Sequence, residues 1–139
     1  MFPENTWGRS VDILRRTMSV NLLRQDTIAN NIANVDTPNF KRSDVNYESA
    51  LRQALMSEQN QRTRGVYTNE KHIPFERTID YRTVRPRRVL DFMTTAKNNG
   101  NNVDIEVESS NFITAQLAYN LMVNSVSHHF NSVNIVLRG

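Results

Sequence analysis

From Ser109 to Leu137 the chain carries no Asp, Glu, Lys or Arg, yet its apolar residues keep helical spacing. Ile105, Phe112, Ile113, Leu117, Leu121, Val126, Phe130, Val133 and Leu137 recur along one continuing helical face. Asp104 to Leu137 spans 34 residues, roughly 51 Å if unbroken. Asn101, Asn102 or Asp104 can cap this helix, and Asp104, Glu106 and Glu108 place negative charge at its positive end. The other faces hold Thr114, Gln116, Asn120, Asn124, Ser125, Ser127, Asn131, Ser132 and Asn134. A solvated lone helix normally shows a charged face. A polar but uncharged one suits burial among other protein chains, where an amide finds a partner and an unpaired charge is costly.

A second helical period occupies the other end of the chain. Between Ser10 and Val35, Val11, Leu14, Met18, Leu22, Ile28, Ile32 and Val35 recur at near-heptad spacing. The stripe is narrow, with Asn21 and Gln25 along or beside it, where polar groups can fix register. Arg9, Arg15, Arg16, Arg24, Asp12 and Asp26 occupy other faces, which a solvated amphipathic helix explains equally well. This helix spans roughly 39 Å, and so thin a stripe needs a partner. Residues 1–8 read as an arm broken by Pro3 and Gly8, with Trp7 folding back onto the chain or anchoring in a neighbour.

The helix ends in Ile28-Ala29-Asn30-Asn31-Ile32-Ala33-Asn34-Val35-Asp36-Thr37-Pro38-Asn39-Phe40-Lys41-Arg42. Asn30, Asn31 and Asn34 are poor helix formers, so their amides are expected to bond another chain or the following turn. Pro38 lacks the N–H to continue the ladder and pushes Thr37 out of the α region. Positions Ala29, Asn30, Asn31, Ile32, Ala33, Asn34, Thr37, Pro38, Phe40 and Lys41 resemble the N-terminal signature A-N-N-I-A-N-x-x-T-x-G-[FY]-K of bacterial flagellar axial proteins, the rod and hook family. The departure is Asn39, where many members have Gly. Asn is the commonest other residue at positive φ, so the same turn is available. The short length, the element Gly100-Asn101-Asn102-Val103-Asp104 and the C-terminal helical run make the chain most similar to the short rod subunits of the basal body. The resemblance covers both ends, roughly half of the sequence.

The 139 residues allow one domain with a modest core, and 38% hydrophobic content with mean hydropathy −0.57 lies between a compact and a partly disordered chain. No cysteine is present, so neither disulfides nor thiolate metal sites can form. The N-terminus has no basic and apolar regions of a cleavable signal, and no run approaches a membrane span. Tyr47, Leu51 and Leu55 give a weaker helical signal within 43–60, while 61–102 keeps no helical period. Gly65-Val66-Tyr67 and Ile73 to Ile79 read as strands, the second restricted to an edge by Pro74. His72, His128 and His129 show no ligand spacing, adjacent histidines point to different helix faces, and no nucleophile or phosphate-loop motif occurs. No enzyme activity, metal, cofactor or small-molecule substrate is therefore expected. A charge of +3 only permits nucleic-acid binding. The alternative reading, a small basic nucleic-acid-binding or adaptor protein, rests on Arg82, Arg85, Arg87 and Arg88 near Tyr81 and Phe92.

The expectation is a mainly α protein. Helices of about 9–35 and 104–137 pair as an antiparallel coiled coil, giving a discontinuous domain of 1–42 plus 103–139. An irregular, partly disordered middle of 43–102 holds a short helix and a hairpin. The seam and subunit-interface residues are expected to be Val11, Leu14, Met18, Leu22, Ile28, Ile32 and Val35 against Ile113, Leu117, Leu121, Phe130 and Val133. Neither seam can bury its whole surface in a lone hairpin, and head-to-tail contacts that do not close generate a tube. The resemblance implies a structural subunit of the flagellar rod spanning the periplasm, exported by the type III apparatus. It also implies copies of itself, other rod proteins and the rod-to-membrane-ring adaptor as partners, with no nucleic acid.

Overall fold

A computed structural model describes residues 6–59, 78–94 and 98–138. It is mainly helical: α1 (Thr6–Ala33), β1 (Ser43–Asn46), α2 (Glu48–Gln59), β2 (Arg87–Leu90) and α3 (Ile105–Arg138), with a 3-10 turn at Tyr81–Thr83. Strand β1 pairs with β2 in a two-stranded sheet. The chain divides into two compact units, one made of the residues up to Val45 and from Val89 onward, the other of Asn46–Arg88.

The first unit is an antiparallel helical hairpin. At one end Trp7 meets Phe130 edge-on, with ring centroids 5.8 Å apart and planes at 89°. At the other, Asn31 Nδ2 donates to Glu108 Oε2 over 2.9 Å. These contacts are about 36 Å apart along α1 and about 33 Å along α3, so the two helices lie side by side over their common length. The buried and half-buried residues of α1 include Trp7, Val11, Leu14, Met18, Asn21, Gln25, Ile28 and Ile32, alternating steps of four and three. On α3, Glu108, Phe112, Ala115, Tyr119, Met122, Val126, His129 and Val133 follow the same rhythm. Both helices thus present the 3.5-residue period that keeps a seam facing its partner. Asn21 and Gln25 satisfy each other within the seam, Gln25 Nε2 donating to Asn21 Oδ1 over 3.1 Å.

Helix α1 also buries Val20, Thr27 and Asn31, and two of its polar side chains reach β1. Arg24 Nη2 donates to the Val45 carbonyl and Asn31 pairs with the Ser43 backbone. The helix is therefore buried more broadly than its sparse apolar stripe implies. Several hydroxyls need no outside partner: Ser10, Thr17, Ser19 and Thr27 on α1, and Thr114 and Ser132 on α3, bond the carbonyl four residues back.

In the second unit, α2 starts after Tyr47, whose carbonyl accepts from Leu51 N, and buries Ala54. Ser57 Oγ accepts from Ile79 N, and Asp80 caps the 3-10 turn by accepting from Arg82 N at 2.8 Å. Arg82 lies over the Tyr81 ring at 5.6 Å.

Two expectations are corrected. Trp7 and Gly8 are not an arm but part of α1, because Trp7 covers the hairpin seam. The hairpin expected within 43–102 is present among the described residues, but at Ser43–Asn46 and Arg87–Leu90, positions with no strand period of their own. The pieces 65–67 and most of 73–79, together with His72, fall outside the described residues. The second correction concerns the seam of α3 and belongs with the interface.

Candidate assembly interface

The end of α1 is tied to the start of α3 by side chains, not by a local turn alone. Asn31 is fully buried, donating to the Ser43 carbonyl at 2.8 Å and to Glu108, and accepting from Ser43 N at 3.0 Å. Glu108 is 1% exposed and also accepts from Arg42 Nε at 2.6 Å. Burial alone would lower the Arg42 pKa, but the hydrogen bond and charge of Glu108 reverse that and raise it. A buried carboxylate is costly unless charged and neutral donors both meet it, and here both do. The backbone N–H of Arg42 donates to Asn102 Oδ1, and Asp91 N donates to the Arg42 carbonyl.

Asn101 closes the end of α1. Its Nδ2 reaches the carbonyls of Asn34, Val35 and Thr37 at 2.9, 3.0 and 2.9 Å, so two hydrogens serve three acceptors left over by the ending helix. Its Oδ1 accepts from Val103 N. Asp104 then caps α3, accepting from Glu106 N at 2.9 Å. Asn34 bonds within its own helix and accepts from Thr37 Oγ1, while Asn30 is exposed.

The turn between them uses two left-handed residues. Asn39 has φ +58° and Gly100 φ +79°. They face each other: Asn39 N donates to the Asn99 carbonyl, and a Cβ on Gly100 would lie 2.6 Å from Asn39 Oδ1. Lys41 Nζ donates to the Gly100 carbonyl at 2.8 Å. The tolerance of Asn for positive φ thus matters here, and the crowded partner position requires Gly.

The sequence-derived seam separates into two sets. Val11 and Ile28 are buried, and Leu14, Met18, Ile32, Val35 and Val133 half-buried, while Phe130 covers Trp7. Ile113, Leu117 and Leu121 do not join them, being 57, 59 and 70% exposed, and Leu22 is exposed as well. Helix α3 has apolar groups on more than one face. The face turned inward carries Ala115 and Ala118 beside Phe112 and Tyr119, and small residues let two helices approach closely. Glu108, bonded to Asn31 and Arg42, selects that face. The larger residues Ile113, Leu117 and Leu121 form an outward stripe at four-residue steps, on a helix stretch without charged side chains.

Reasoning from the sequence missed Arg42, Asn102 and Glu108 as one bonded group, and Asn101 as the clamp on the end of α1. The available signal was a charged residue, Glu108, on the heptad line that continues through Ala115, Met122 and His129. Among the described residues no group of His, Asp or Glu is arranged to hold a metal ion, and no helix is long and apolar enough to cross a membrane.

The sequence is similar to those of known proteins. Residues 12–41, the outgoing arm and turn of the hairpin, match the family model of flagella basal body rod proteins. The flagellar basal body rod protein FlgB of Borreliella burgdorferi is 44% identical over 96% of this chain and 99% of its own length. The protein of the same name from Borrelia hermsii is 45% identical over the same shares, and that of Bacillus subtilis 30% identical over 94% of each chain. The nucleic-acid-binding alternative is not favoured by these relatives. A full-length match at this identity, together with the Asn-rich turn and the terminal hairpin it closes, means that the chain belongs to the FlgB family of flagellar basal-body rod proteins.

Proposed function

We propose that the chain is a structural, non-enzymatic subunit of the flagellar basal-body rod, polymerising through its α1–α3 unit, with neighbouring subunits covering the outward stripe of α3. One observation carries this reading: Ile113, Leu117 and Leu121 stand open on a helix segment that has no charged residue between Ser109 and Leu137. Water is a poor partner for that surface, and another protein chain a good one. The interface residues of the reading are the outward stripe together with the seam that holds α3 in place. Other rod proteins, the adaptor between rod and membrane ring, and the flagellar type III export apparatus are its partners, and the periplasm-spanning rod is its site.

The test is the double substitution Leu117→Asp with Leu121→Asp. Both residues are exposed, so the helical far-UV circular dichroism of the isolated chain should stay at the parental level. Cells carrying it should lose swimming and yield no rods, because two carboxylates would be desolvated at each contact. Parental swimming with this variant would refute the reading.

A further inference from the structure

We propose that strand β2 and the residues after it dock on the first turn of α3 of a second copy of this chain, as a head-to-tail contact between opposite charges. This rests on the polymerising role above and adds the pairing of surfaces. All four residues of β2 are exposed, and among the described residues its only strand neighbour is β1. Val89 and Leu90 are each half uncovered, and Phe92 and Met93 are 68 and 95% exposed. The two-residue strand period sets Arg87 beside Val89 on one face. A basic and apolar strip of this size on a soluble surface marks a contact.

The complementary surface lies on the same chain. Asp104 and Glu106 are exposed at the start of α3, interleaved with Ile105 and Val107, each 50% exposed. Its acidic side chains carry the charge opposite to Arg87, and exposed apolar side chains stand beside the charges on both surfaces. The whole sequence is divided the same way. Residues 46–88 carry nine basic against five acidic side chains, and the remainder eight against nine. Two copies of the basic strip would repel each other, which disfavours an isologous pair. Strip on helix start is heterologous, so each copy keeps one free surface of each kind, and the contact propagates.

The chain has no cysteine, so engineered pairs report cleanly. Cells expressing one chain with Val89→Cys and another with Val107→Cys should yield a cross-linked dimer on mild oxidation that neither variant forms alone. Arg87→Glu and Glu106→Arg should each lower the yield of rods about tenfold, the effect of losing one close interfacial charge pair, and the two together should restore it to within about twofold. The circular dichroism melt of each variant separates this from unfolding. Absence of the mixed dimer with parental rod yield for Arg87→Glu would overturn the pairing. If Leu117→Asp with Leu121→Asp still blocked rods, the polymerising role would stand without it. If Arg87→Glu instead abolished binding to vesicles of anionic phospholipid, and Glu106→Arg did not restore rods, the strip would face a membrane and the pairing would again fail.

Discussion

Replacing Glu108 tests the bond group that joins the two ends of the hairpin. Its carboxylate is 1% exposed and accepts from Arg42 Nε at 2.6 Å and from Asn31 Nδ2 at 2.9 Å. Glu108→Gln keeps the shape but offers one carbonyl to two donors, so one contact becomes donor against donor. Breaking a buried charge pair by removing one partner costs about 3–5 kcal/mol, and the half-exposed Arg42 places this case near the lower end, at about 3 kcal/mol. For a chain of this length that lowers Tm by about 10 °C, read by far-UV circular dichroism. Asp44 and Asp91 also favour the charged guanidinium and remain when Glu108 is replaced, whereas Arg42→Ala strands a buried carboxylate, so Arg42→Ala should cost more than Glu108→Gln. The double variant Arg42→Ala with Glu108→Ala should fall short of the sum of its singles by about 1–3 kcal/mol. A fall in Tm below about 2 °C for Glu108→Gln, or strict additivity in the cycle, would refute the reasoning.

Gly100→Ala should be destabilising by about 1–2 kcal/mol, since φ +79° disfavours a Cβ and that atom would lie 2.6 Å from Asn39 Oδ1. A urea midpoint equal to the parent's would contradict the close approach. Asp12 is mostly buried, and although burial raises its pKa, hydrogen bonds from Arg16 and Arg15 outweigh it and leave the folded value lowered. Its contribution is therefore present above the ordinary carboxylate range and is lost as pH falls through the lowered value. Asp12→Asn should flatten the acid limb of stability measured by urea titration below about pH 5, and an unchanged limb would remove Asp12 from the account.

The helices and the turn between residues 34 and 42 were readable because their signals are local. Apolar steps of three and four mark α1, Pro38 ends the ladder, and Asn39 takes the positive φ that its residue type allows. The facing of α3 was not readable in the same way. Its outward residues Ile113, Leu117 and Leu121 are larger and more apolar than the inward Ala115 and Ala118, so hydrophobic size pointed to the wrong side. The deciding contacts join Asn31 to Glu108 and Arg42 to Glu108, 77 and 66 positions apart, which no local period encodes. Asn101 likewise appeared only as turn chemistry, although it satisfies three carbonyls of the α1 end some 65 positions away. The strand β2 was hidden by its arginines and by its four exposed side chains, which leave no alternation of apolar and polar residues to detect.

Thiol labelling of single cysteines compares the two faces of α3 directly, because the chain has none of its own. In the isolated chain a cysteine at Leu117 should react with a soluble maleimide at the rate of an open helix surface, and one at Ala115 should react slowly. In purified rods the cysteine at Leu117 should become as protected as that at Ala115. Equal reactivity of the Leu117 position before and after assembly would contradict the account.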